Sequence, residues 1–231
     1  MGLESRRTSA AGAPETPDAA RRASRRPRTR LEPAARQDQI LDAAARVVLR
    51  DGIRAVGLER LARDLGISKA LAYSYFRTRD ALLAALLRRE QAALRDGGMV
   101  AALRARSFAS LLRQTTRAYL EQALTRGPLI WALLADPSVA RLMEAENRVE
   151  RETTIRFFVR ATRRRYGLPP AKAITAVRLL MAVTGEAGLA VAGGELSVDE
   201  ATATCVTLIS GALGALARAE TRTGKPPPLR S

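Results

Sequence analysis

The stretch Leu58 to Phe76, LERLARDLGISKALAYSYF, reads as a short helix, a glycine-containing turn and a second helix. Leu58, Leu61, Ala62 and Leu65 recur at i, i+3, i+4 and i+7, which puts four apolar side chains on one helical face. Gly66 follows the last of them and can take the positive φ that ends a helix. Ile67 is an apolar plug for the bend. Ser68 is placed to accept a hydrogen bond from a backbone N–H near Leu71, so a new helix begins at Lys69. Two helices joined by about three residues diverge steeply, which lets one cross a phosphate backbone while the other enters a major groove.

The flanks supply the rest of a small domain. Upstream, Gln37 to Arg50 carries Ile40, Ala44, Val47 and Val48 on a single face, and Asp51-Gly52 terminates it. Downstream, Thr78 caps a further helix whose Leu82, Leu83, Leu86 and Leu87 form an apolar stripe. A helical hairpin with a glycine turn is common on its own; the surrounding helices are what make it specific.

Residues 37 to 90, from ILDAAARVV through DG, LERLARDLGISK and YSYF to the leucine-rich fourth helix, resemble the N-terminal DNA-binding domain of tetracycline-repressor-like (TetR/AcrR) transcriptional regulators. The resemblance spans about a quarter of the chain. It implies an all-α protein in which an N-terminal three-helix helix-turn-helix domain joins a helical ligand-binding and dimerisation domain. It implies equally a homodimer on a palindromic double-stranded DNA operator, released by a small-molecule effector, in the cytoplasm and associated with the nucleoid. Neither an enzyme nor a cofactor is expected. On this pattern residues 1–35 are a disordered basic arm, 36–80 the DNA-binding domain, 81–220 the helical body and 221–231 a disordered tail.

Lys69, Ala70 and Leu71, after the cap Ser68, match the family's base-reading first turn of the recognition helix. Tyr73 and Tyr75 match its aromatic positions with tips that reach phosphate, and Ser74 lies between them on the same turn. Phe76 matches a residue that packs back into the core, and Arg79 a basic phosphate contact. Two positions depart from the pattern: Ala72 replaces a frequent Leu, and Gly57 stands where a Thr or Ser often caps the second helix and touches phosphate. The second change removes a hydroxyl and leaves only backbone N–H groups to meet an anion there. General chemistry divides the roles in the same way. Lysine donates to guanine O6 or N7 and leucine meets a thymine methyl, whereas tyrosine and arginine hold phosphates without reading sequence.

Composition agrees. The 231 residues are 47% apolar and 4% aromatic, with alanine and leucine dominant, which favours helices over sheets and suffices for a sizeable core. The net charge of +16 makes polyanions the natural partners. Residues 1–35 hold eight basic and four acidic side chains, 36–90 eleven and seven, and 91–231 twenty and twelve, so the excess per residue peaks in the leading segment. There Arg21, Arg22, Arg25, Arg26, Arg28 and Arg30 put six cations within ten residues, an arm suited to phosphates or a neighbouring minor groove, or a merely solvated extension.

Several classes of function are excluded or disfavoured. With no histidine, His-based triads, His metal sites and imidazole acid-base chemistry are ruled out, and one cysteine rules out Cys-based zinc clusters and internal disulfides. Cys205 suits a small buried apolar position in a reducing cytoplasm. No stretch approaches the roughly 18 consecutive apolar residues of a membrane span, so no membrane partner is expected. The rival reading is a protein that coats nucleic acid without sequence preference, driven by the charge and the arm.

In the body, Asp96, Gly97 and Gly98 read as a hinge after the reader. Helices are expected over Ser107 to Thr125, from Gly127-Pro128 to Asp136-Pro137, over Ser138 to Tyr166, over Ala171 to Ala192 and over Ser197 to Ala219. Ile174, Val177 and Met181 on one helix and Cys205, Leu208, Ile209, Ala212 and Leu216 on the next form stripes that suit a dimer interface or, alternatively, a monomer core. Trp131, Met143, Phe157, Phe158 and Met181 are the candidates for an apolar effector pocket, which family members commonly place between these helices.

Overall fold

A computed structural model describes residues 32–223; the arginine-rich arm and the last residues of the tail lie outside them. Eight α-helices and no strand occur among the described residues: α1 (Pro33–Asp51), a 3-10 turn (Ile53–Ala55), α2 (Leu58–Asp64), α3 (Lys69–Tyr75), α4 (Arg79–Leu103), α5 (Phe108–Leu134), α6 (Pro137–Tyr166), α7 (Pro170–Ala192) and α8 (Val198–Thr223). From Gln37 onward they form one compact unit. The helices begin and end where local chemistry directs. Ser68, Thr78 and Ser107 each accept a hydrogen bond from the backbone N–H three residues on, at 3.1, 3.0 and 3.1 Å. At the start of α8, Ser197 and Glu200 close a reciprocal capping box. Gly167 closes α6 at φ 67°.

The core of the reader is continuous with the near end of the body. Ile40, Ala44, Val47 and Val48 of α1, Leu58, Leu61 and Ala62 of α2, Ala72 of α3 and Leu82, Leu83, Leu86 and Leu87 of α4 are buried together with Leu129, Ile130 and Leu133 of α5 and Val139 and Met143 of α6. A second cluster, with Leu112, Leu168, Ala173, Ala176, Cys205, Ile209 and Leu213, closes the far end. Burial pushes the Cys205 thiol up from its ordinary pKa, so it stays protonated at neutral pH.

Tertiary packing overrides the local signals at several points. No hinge interrupts α4 at Asp96-Gly97-Gly98, because packing of its leucine stripe and polar contacts to α6 outweigh about 1 kcal/mol of helix propensity lost at each glycine. Gly127-Pro128 starts no helix either; α5 runs through both. Pro128 removes one backbone donor, but the Trp131 ring lies over Gly127 so closely that a Cβ there would sit 2.7 Å from Cη2. The glycine that looked like a break is a seat for the indole. α1 starts at Pro33 rather than Gln37, and α8 reaches Thr223, so residues expected in the arm and tail are helical.

The two stripes expected at a dimer interface are split. Val177, Cys205 and Ile209 point inward and are buried, and Met181 and Ala212 are partly buried, whereas Ile174, Leu208 and Leu216 are exposed. Cys205 and Ile209 belong to the second core cluster, because a helix lying on the body must bury one face there before offering another outward. α7 and α8 are also long and apolar enough to cross a membrane by length and composition, an outcome the sequence reading did not anticipate because scattered charges such as Arg178 and Glu186 interrupt them. Only 22% and 28% of their apolar windows are buried, so each keeps a second apolar face uncovered.

The pocket candidates do not converge. Met143 is sealed in the core shared by reader and body, Trp131 lies on its own helix, and Phe157 and Phe158 pack edge to face at 5.2 Å between centroids. Met181 is partly buried on α7. Two shallow hollows lie instead on α7 and its neighbours, one lined by Thr175, Leu179 and Leu216, the other by Glu186, Leu189 and Leu196.

Acid stability follows from the carboxylates at the joints. Arg50, then Arg60, hold Asp51 down at about 2, and the Arg88 guanidinium holds Glu146 below the usual carboxylate range. A carboxyl whose pKa is lower folded than unfolded stabilises fully above its unfolded value and loses that contribution as pH falls toward the folded one. The thermal midpoint is therefore expected to be level from pH 8 to about 5, where no histidine titrates, and to fall between about pH 4 and 2. Calorimetry across that range checks it; a midpoint that drops between pH 7 and 5 contradicts it.

Candidate nucleic-acid interface

α2 and α3 meet across the turn Leu65 to Ser68. Gly66 takes φ 62°, the left-handed conformation anticipated for it, and Ile67 donates its N–H to the Ala62 carbonyl at 2.9 Å, which tightens the bend. Ser68 Oγ accepts from Leu71 N, so the cap sits where expected. Burial then decides which face of α3 is presented. Ala72 and Phe76 are buried in the reader core, and Tyr75 packs against it half-buried. Lys69, Ala70, Leu71, Tyr73 and Ser74 face solvent, with Tyr73 44% exposed although it is a large apolar ring. Ala72 explains the departure from the usual leucine: it is fully buried where α3 meets the reader core, which leaves little space for a longer side chain.

Lys69 pairs with Glu59 of α2 at 3.0 Å, and both side chains are largely exposed. Such a pair is weak in water and opens readily to a stronger anion. Ser74 Oγ donates to the Leu71 carbonyl at 2.7 Å, which occupies its proton but leaves the oxygen outward. Gly57 precedes α2 in extended conformation with no side-chain cap, and the space beside its Cα is open.

Arg79 differs from its expected placement. Its Nη2 donates to the Ile53 carbonyl at 2.9 Å and to Asp136 Oδ2 at 3.2 Å, and Nη1 lies 3.2 Å from Asp80 Oδ1. Three internal acceptors thus hold the guanidinium against the domain in this structure. Arg77, which the sequence reading passed over, is exposed just past the end of α3 and has no carboxylate partner among the described residues. Its signal was present: a basic residue between the recognition helix and the Thr78 cap.

Glu90 also escaped the sequence reading. It is buried on α4, with its carboxylate held by Arg89 at 3.0 Å and by Arg126 of α5.

With this geometry in place, residues 40–86 match the family model described as bacterial regulatory proteins, tetR family. A 75-residue stretch is 39% identical to the HTH-type transcriptional regulator BetI of Rhizobium meliloti (strain 1021), covering 32% of this chain and 36% of that protein. The match thus spans about a third of the length of that curated relative. The fold is shared over a longer reach. A TetR-like transcriptional regulator from Rhodococcus sp. RHA1 superposes with TM-score 0.63 at 23% identity over 80% of this chain and 98% of its own. The fatty acid degradation regulator FadR from Bacillus halodurans does so with TM-score 0.60 at 16% identity over 78% and 96%. Identities this low speak for the architecture alone, while the reader carries the sequence match. Residues 40–86 thus carry the DNA-binding domain of tetR-family bacterial regulatory proteins, set on a helical architecture shared with solved regulators of that kind.

Proposed function

We propose that this chain is a sequence-specific DNA-binding transcription regulator that acts in the cytoplasm as a homodimer on a palindromic operator and is released by a small-molecule effector. The observation that carries the reading is the outward face of α3: a capped helix, pinned by Ala72 and Phe76, that presents Lys69, Ala70, Leu71, Tyr73 and Ser74 to solvent. Lys69 and Leu71 read base edges, while Tyr73, Tyr75 and Arg77 hold phosphates with Ser68 and Gly57 at the margins. Arg77 takes the phosphate role that internal bonding denies to Arg79.

The uncovered faces of α7 and α8 support the homodimer. Ile174, Leu179 and Leu189 on one helix and Leu208 and Leu216 on the other are exposed on helices apolar enough to be buried on both sides. Paired about a twofold axis they bury one another and set two reading heads at a fixed separation. Release by an effector is consistent with the family; an effector must bind the DNA-incompetent state more tightly, or no shift follows.

Selection of bound duplexes from a random pool tests the proposal directly. The expected product is a palindrome whose half-sites are about one helical turn apart and whose binding survives physiological salt. Uniform coverage of every sequence, lost in salt, would replace the regulator with the charge-driven coating protein that the +16 balance also permits.

A further inference from the structure

α4 belongs to the reader by one face and to the body by another. Leu82, Leu83, Leu86 and Leu87 are buried in the reader core. Along a different face, α4 runs beside α6 and is joined to it by polar rungs in matching order. Arg88 holds Glu146 with two bonds at 2.7 and 2.8 Å, Gln91 Nε2 donates to Asn147 Oδ1 at 3.0 Å, and Arg95 pairs with Glu150. The rung nearest the reader is Arg79 with Asp136, and of the four it alone also grips reader backbone, at the Ile53 carbonyl just before α2. Asp136 has a second task. Its Oδ1 caps α6, accepting from Ser138 N at 3.0 Å, Ser138 Oγ at 2.6 Å and Val139 N at 3.3 Å.

The geometry points to Asp136 as a positioning residue for DNA recognition: one carboxylate, split between the cap of α6 and the Arg79 guanidinium, ties the first turn of a body helix to the backbone that precedes the helix-turn-helix. The side chains are 12% and 30% exposed, sheltered enough that the charge-assisted bond orients the reader and is not merely a solvated pair. The latch touches no DNA. Its contribution lies in holding the angle of each head to the body, and so the separation of two heads in a dimer. This inference rests on the regulator reading above.

The test uses full-length protein and three duplexes: the palindrome recovered by selection, one half of it, and a version with two base pairs inserted at its centre. Asp136→Asn keeps a good helix cap but puts an amide where Arg79 needs a carboxylate. We expect about a tenfold loss of affinity for the palindrome, a change of less than about twofold on the half-site, and reduced preference over the inserted version. Arg79→Leu is expected to do the same with an unaltered salt slope, and the double variant to be no worse than either single one. Equal losses on half-site and palindrome, or retained spacing preference in both variants, overturn the latch. So does a half-site loss in Arg79→Leu with the salt slope lowered by about one, which would return Arg79 to phosphate. If the unsubstituted protein selects no palindrome, the regulator reading itself fails, and the latch with it.

Discussion

A chain carrying Leu179→Glu and Leu208→Glu is expected to sediment as a monomer at micromolar concentration and to bind the palindrome about a hundredfold more weakly, close to its affinity for one half-site. Both leucines are surface residues of the subunit, 66% and 52% exposed, so neither substitution opens a cavity or strands a charge in its core. Exposed changes of this kind normally shift subunit stability by less than about 0.5 kcal/mol. Facing a partner, the same carboxylates would be buried without counter-charges, and four of them would meet about one twofold axis. The whole penalty therefore falls on association. Affinity then falls because the second head no longer binds at the high effective concentration set by the first. Unchanged helicity and melting establish that the subunit is intact; a dimer mass in the doubly substituted protein would refute the assignment of this face.

The second large effect concerns which sequence is read. Lys69→Ala with Leu71→Ala is expected to reduce preference for the selected operator over random duplex by roughly a hundredfold, since each lost base contact is worth about 1–3 kcal/mol of discrimination. Tyr73→Ala is expected instead to weaken operator and random duplex by similar factors, because a phosphate contact positions without specifying. Both follow from the way α3 sits. Ala72 and Phe76 fix its rotation about its own axis, so Lys69 and Leu71 project from the first turn and Tyr73 from the flank. Competition binding against random duplex at constant salt separates the two classes. Equal losses on both duplexes for the Lys69 and Leu71 variant would mean that this turn carries no base readout.

The reader was legible because its signals are local. A cap, a positive φ and an i, i+4 stripe act within a few residues, and at Ser68, Gly66 and Leu82 to Leu87 each appears as expected. The body was less legible, since glycine and proline state a local cost but not the compensation that distant residues provide. Gly97 and Gly98 stay helical within α4, and Gly127 stays helical under Trp131. Charges misled in a similar way. Arg79 follows the family's pattern in sequence, yet an acceptor 57 residues away at Asp136 and another at Ile53 occupy it. Glu90 is buried where Arg126 of α5, 36 residues away, joins its neighbour Arg89 in holding the carboxylate.

By itself, the order of residues determined the helical class, the helix-turn-helix and the face of α3 turned outward, because hydrogen-bond caps and apolar periodicity act over one or two turns. Tertiary structure alone decided which face of α7 and α8 is core and which is uncovered, and which arginines are free and which are bound. Those choices depend on partners far along the chain, and a side chain's charge or apolarity is the same in the sequence whichever partner it meets.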